Sequence, residues 1–167
     1  MPRSFDILTE SPASVEQVHA VFGREEYWLA RIAAADANIT LDSLSVDADG
    51  TVTVRTSQNL GRQILPAMVA KLIPGELNIL SSETWKPIGD RQVRGDVSIS
   101  ASGGLGSGRA EGLLTPTPDG SQLRFAGRVE VKIPLLGGPI EKSIGAGMAE
   151  NARAAQHFTA TWIAENT

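Results

Sequence analysis

The chain has 167 residues, 41% of them hydrophobic and 20% charged, with a net charge of −4 and a pI near 5.2. That length suits one domain, residues 1–167, with a core large enough to surround a pocket, and an acidic balance without a basic stripe excludes nucleic acid as the main partner. The absence of cysteine excludes disulfides, thiolate catalysis and cysteine-ligated metals together. No signal core stands in "MPRSFDILTE" and no run reaches the ~18 apolar residues of a membrane span, so a cytoplasmic protein without an integral membrane segment is expected.

The first element is a strand, because "RSFDILTE" alternates Phe5, Ile7 and Thr9 against Ser4, Asp6, Leu8 and Glu10. Ser14 followed by Gln17 has the form of a capping box, and the helix it opens places Val15, Val18, Val21 and Phe22 toward the core. Gly23 ends that helix. A second short helix carries Tyr27, Trp28, Leu29 and Ile32 as its apolar positions.

From Asn38 the period changes to two. Ile39 and Leu41 give way to Leu44 and Val46, a change of parity that predicts a bulge, and Asp49-Gly50 supplies the positive backbone angles of a hairpin turn before Val52 and Val54. Further strands are predicted from Leu77 to Trp85, Gln92 to Ala101, Gly108 to Thr115 and Gln122 to Ile133. Between hairpin and later strands lies "GRQILPAMVAKLIPG", in which Ile64 to Ile73 is either an ordinary core helix or a lid over a pocket.

Gly95, Gly112 and Gly127 interrupt three of the predicted strands, and an interior glycine weakens a strand unless it marks a bend or a close approach. Three in succession predict a sheet that curls strongly, most economically around the last helix. That helix follows the break at Gly137-Gly138-Pro139 and turns Ile140, Ile144, Gly147, Met148, Asn151, Ala155, Phe158 and Trp162 to one side at helical spacing. Gly145 and Gly147 each cost roughly 0.8–1.0 kcal/mol relative to alanine in a helix. Their presence predicts a cavity or a close backbone beneath the helix centre, with the large Phe158 and Trp162 packing its end.

This order of elements resembles the helix-grip fold of the START-like superfamily, an α+β architecture that also includes polyketide cyclases and the Bet v 1-like pathogenesis-related proteins. More narrowly, "VKIPLLGGPIEKSIGAGMAENARAAQHFTATWIAE" is similar to a family of mostly actinobacterial proteins within it, through the "IPLLGG" break, the Ile-Glu-Lys helix start and the Phe-Thr-Ala-x-Trp ending. The resemblance implies a curved antiparallel sheet wrapped around the C-terminal helix, with two short helices after the first strand and a hydrophobic cavity between sheet and helix. Its lining would come from Leu65, Met68 and Val69, from Val97, Phe125 and Val129 on the strands, and from Gly147, Met148, Asn151 and Ala155 on the helix. No catalytic residues come with the motif, and fold alone does not settle function.

Candidate chemistry is sparse. His19 and His157 are the two histidines, and no His/Asp/Glu spacing gathers three or four ligands around either, so neither a metal nor another cofactor is expected. "SGGLGSGRAEG" lacks the Gly-Lys-Ser/Thr ending of a phosphate loop and reads as a hairpin loop. Glu83 and Asp96 are acids on or near a concave sheet, with parity left open. Three functions fit: a binder or carrier of a small hydrophobic molecule of lipid, polyketide or isoprenoid type, a cyclase- or dehydratase-type enzyme using the same cavity, and a protein-interaction module.

Overall fold

A computed structural model describes residues 3–35, 38–60, 77–132 and 137–166. The described residues form β1 (Arg3–Ser11), α1 (Val15–Phe22), α2 (Glu25–Ala35), β2 (Ile39–Val46), β3 (Val52–Leu60), β4 (Leu77–Gly89), β5 (Gln92–Ala101), β6 (Gly106–Thr117), β7 (Gly120–Val131) and α3 (Gly137–Asn166). The seven strands make one antiparallel sheet in the order β1-β7-β6-β5-β4-β3-β2. From β2 onward neighbours in sequence are neighbours in space; β1 instead crosses to pair with β7. The two helices between β1 and β2 span that crossover, and α3 returns to pack on β1 and β7.

Local chemistry sets most of these boundaries. The Ser14 hydroxyl accepts from the Gln17 amide at 3.1 Å and the Gln17 side chain accepts from the Ser14 amide at 2.9 Å, completing the predicted capping box. The four apolar positions of α1 are all buried. In α2, Tyr27 and Trp28 are buried as expected, but Leu29 is half exposed at 50%; one short helix can press only one stripe against the core.

The parity change in β2 is a bulge between Leu41 and Ser43. The hairpin that follows differs from expectation. Only Gly50 of the Asp49-Gly50 pair has a positive φ, of 89°. The loop is closed by bonds between Asp47 and Thr51 and by the Asp49 carboxylate accepting from the Thr51 amide. The tight two-residue turn is instead Asp90-Arg91, where both φ values are positive, at 54° and 59°. β4 runs through Pro87 to reach it, with an irregularity between Pro87 and Gly89, which is where a ladder tolerates a residue without an amide hydrogen.

The strand glycines answer two different needs. Trp85 lies on the inner face, and a Cβ on Gly95 would stand 2.5–2.8 Å from its ring; one on Gly112 would stand 3.3 Å away. Register puts Trp85, Gly95 and Gly112 in one row across β4, β5 and β6. These two glycines therefore make a flat berth for an indole, not for the last helix. Gly127 is different: an added Cβ would collide with the backbone of Arg109 and Ala110, so β7 presses onto β6 there, the close approach expected of a curling sheet.

The core gathers at one end. Phe22 lies 5.0 Å from Trp85 and 5.6 Å from Trp28 between ring centroids, and Tyr27 lies 5.6 Å from Trp162 and 6.0 Å from Phe158. Val15, Val18, Val21, Val52, Val54, Val93, Leu114 and Ile163 fill the space between. Where α3 begins, Glu141 is only 2% exposed, and its Oε2 accepts from the Val131 amide at 2.7 Å. The acid of the Ile-Glu-Lys motif thus ties the start of α3 to the last residue of β7 through a charge-assisted bond.

Replacing Trp162 with alanine should cost about 3–5 kcal/mol, through lost burial and the cavity left behind, measured by denaturant unfolding. Gly95→Ala should cost about 1–3 kcal/mol by overpacking, and much of that loss should vanish in a Trp85→Leu background. An unchanged cost in that background would refute the berth.

Candidate functional site

The inner face of the sheet has two regions set side by side by register. Next to the Trp85 row lies the row Val54, Glu83, Val97, Ala110, Gly127 and Phe5, running from β3 to β1. Beyond it come Ile99, Gly108 and Val129. Strand alternation points all of these inward, and Phe5, Val97 and Ile99 are only half-buried. Phe5 packs on Phe125 at 5.7 Å between ring centroids. Among the described residues Phe5, Val97, Ile99, Gly108, Ala110 and Val129, with Arg109 and Arg128, line a crevice of about 10 Å³, the scale of one water molecule.

A polar cluster adjoins this wall. Glu83, the direct register partner of Val97, faces inward and accepts from Trp85 Nε1 at 2.8 Å. Tyr27 Oη, fully buried, lies 2.6 Å from Thr159 Oγ1, which donates to the Ala155 carbonyl at 2.7 Å. With the threonine proton so committed, the phenol donates to Thr159. Arg31 Nη1 donates to Tyr27 Oη at 3.3 Å, and its guanidinium lies 5.0 Å from the centre of the Trp28 ring. Burial works against the Arg31 charge, but the Tyr27 oxygen and the Glu83 carboxylate outweigh it and hold the group firmly protonated.

Each member comes from a different element. Helix α2 delivers Tyr27 and Arg31 from one face, one turn apart; β4 delivers Glu83 and Trp85 on one side of its pleat; α3 delivers Thr159. Together they set a fixed cation, a carboxylate and a phenol at the edge of an apolar wall. Such a set can hold the polar end of an otherwise apolar molecule, and its carboxylate can take or return a proton.

Of the expected cavity residues, Val97, Phe125 and Val129 all face inward, Val129 buried and the other two half-buried. Ala155 is half-buried on α3 and carries the carbonyl that receives Thr159. Asn151 requires correction: it is exposed. The inward stripe of α3 includes Ala152, Gln156, Thr159 and Ile163, so it is rotated from the face drawn through Asn151. Gly147 and Met148 lie within α3, at positions whose side-chain surroundings fall outside the described part. Leu65, Met68, Val69 and the whole segment Ile64 to Ile73 lie outside the described residues.

Parity divides the two acids. Glu83 belongs to the inner face, whereas Asp96 points outward beside Arg94 at 3.7 Å. His19 is a structural link, its Nε2 lying 2.8 Å from the Gly50 carbonyl. His157 is exposed on α3. Tyr27, Arg31 and Thr159 were missed as site residues because each is unremarkable within its own helix; a tyrosine and an arginine at i and i+4 were the available signal. Tyr27→Phe should leave the fold intact but cost about 1–2 kcal/mol, since a buried hydroxyl partner is removed from Thr159 and Arg31. Thermal unfolding would check it, with Thr159→Val combined to test that the two losses overlap.

Comparison with known proteins bears on the whole chain. The family model described as "Protein of unknown function (DUF2505)" matches residues 6–163. Uncharacterized protein Rv0481c of Mycobacterium tuberculosis (strain ATCC 25618 / H37Rv) is 33% identical over 173 aligned positions, covering 99% of each chain. Among solved structures, TTHA0849 from Thermus thermophilus superposes with a TM-score of 0.58 at 17% identity, covering 99% of this chain and 100% of that one. A START superfamily protein from Mycobacterium smegmatis superposes with a TM-score of 0.52 at 13% identity, covering 99% of both. At these identities the structural likenesses establish the fold, which is START-like.

Proposed function

Since the chain belongs to the family described as "Protein of unknown function (DUF2505)" and has the START-like fold, we propose that it binds or carries a small hydrophobic molecule between sheet and C-terminal helix. The lipid, polyketide or isoprenoid types are the natural candidates. The supporting observation is the inner wall itself. Half-buried apolar side chains, Phe5, Val97, Ile99 and Phe125, stand beside a polar cluster of Tyr27, Arg31 and Glu83. A densely packed core would bury those side chains fully, as the aromatic end of this protein does. An apolar ligand with one polar terminus would complete the burial and place its terminus against the cluster.

Native mass spectrometry of the purified protein tests this directly, by seeking a retained apolar molecule. In parallel, the neutral fluorescent probe N-phenyl-1-naphthylamine should bind saturably. Val97→Phe and Ala155→Leu, which would fill the proposed cavity, should each weaken its binding at least fivefold while the circular dichroism stays unchanged. Probe binding unaffected by both substitutions in folded protein would overturn the cavity.

The inward Glu83 favours a second reading, catalysis of cyclase or dehydratase type in the same cavity, since a carboxylate within reach of a bound ligand can act as a proton carrier. Glu83→Gln separates the two through turnover: an enzyme loses turnover of its identified ligand far beyond any loss of affinity, whereas a carrier shows no turnover before or after the substitution and changes only in affinity. The interaction-module reading turned on Ile64 to Ile73, outside the described residues.

A further inference from the structure

The outer face of the sheet carries a line of residues of only two kinds. From β3 to β1, register brings Arg55, Ser82, Ser98, Arg109, Arg128 and Ser4 into one row, and strand alternation turns them all away from the core. Arg109 and Arg128 are direct partners on adjacent strands, roughly 4.8 Å apart in the sheet. Like charges placed directly opposite one another destabilise a sheet unless something neutralises them.

The neighbouring acids are already engaged. One row over stand Asp96, Glu111 and Asp6, and on the other side Glu130, which lies 3.8 Å from Lys132. Glu111 accepts from Arg94 at 3.1 Å, Asp96 lies 3.7 Å from the same guanidinium, and Asp6 is bound by Arg124 at 2.7 Å. The Arg124 hydrogen bond holds the Asp6 carboxyl below its ordinary range. Arg94 and Arg124 thus neutralise the acidic row from its far side. Among the described residues, Arg55, Arg109 and Arg128 make no ion pair.

Space is provided as well as charge. Ser4, Ser82, Ser98, Arg109 and Arg128 line an outer-face groove of about 920 Å³, and the Arg-engaged acids Asp6, Asp96 and Glu111 line its other side. We propose that this groove binds a phosphate group, gripped by the Arg109 and Arg128 guanidiniums with hydroxyl bonds from the flanking serines. Two planar forks match the oxygens and the near-double charge of a phosphate monoester. The acidic row limits the ligand to a compact anion, since an extended polyanion would overlie Asp96 and Glu111. The site is on the opposite face from the hydrophobic cavity and does not depend on it.

Phosphate itself is the probe. Calorimetric titration at constant ionic strength should give saturable binding, weakened at least tenfold in both R109Q and R128Q and unchanged in K86Q, an outward cation two rows away. Without phosphate, R128Q should melt no lower than the parent protein, because it removes a repulsion and no contact. Co-sedimentation with phosphatidylcholine vesicles, with and without phosphatidic acid, identifies the source: Arg128-dependent capture by the acidic vesicles means a lipid headgroup, and phosphate binding without capture means a soluble phosphate ester. No saturable response to phosphate, or a response that survives the R109Q/R128Q double variant, overturns the proposal.

Discussion

The indole of Trp85 is the constraint from which the rest of this protein follows. It lies flat across β5 and β6, where Gly95 and Gly112 leave no side chain in its way, and so it brings a large apolar surface down to the level of the sheet itself. Phe22 packs against it at a tilt from α1, Tyr27 and Trp28 pack against Phe22, and Trp162 packs in turn on Tyr27. Aromatic rings contribute large buried areas and prefer tilted contacts, so one well-seated indole organises two helices and the end of a third. The same ring turns its Nε1 toward Glu83 and thereby orients the carboxylate of the neighbouring inner row.

This arrangement makes the interior asymmetric. One end is aromatic, tightly packed and closed, while the adjoining strip through Val97, Ala110 and Gly127 carries small or half-buried side chains. The polar cluster sits on the boundary. Burying a cation, a carboxylate and a phenol is tolerable there because each has partners: Arg31 faces Tyr27, Glu83 and Trp28, and Tyr27 faces Thr159. A group of this kind placed deep in the aromatic end would lack room for those partners; placed farther out it would lose its low-dielectric setting.

The two faces of the sheet follow different rules although they are made from the same strands. Inward positions are chosen by volume, as the glycine and tryptophan exchange shows. The outward face carries its charges in rows, Arg94 and Arg124 answering Asp96, Glu111 and Asp6. Such exposed pairs contribute little to stability individually. Their consequence is electrostatic pattern: with the acids engaged on one side, the second basic row is left, among the described residues, without a counter-charge.

Much of this was legible in sequence because it depends on neighbours in the chain. Alternation set the strands, the Ser14 and Gln17 pair set the start of α1, the parity change between Leu41 and Leu44 marked the bulge, and Gly127 marked a close approach. What occupied the glycine berths was not legible, since Trp85 reaches Gly95 and Gly112 only through pairing between strands, and spacing along one chain carries no information about which strand lies next to which. The same holds for Asn151, where a face assigned from one helix in isolation was rotated by the partners it meets. It holds also for Glu83 and Asp96, whose opposite faces depend on the register of β4 against β5. Hydrophobic periodicity is a local property, so the order of residues alone dictates the elements, their succession and the apolar character of the interior. Which side chains share a row is settled by strand pairing and helix docking, between residues far apart in the chain. From that come the two juxtapositions that carry the proposed functions: Arg31 and Tyr27 beside Glu83 on one face, Arg109 beside Arg128 on the other.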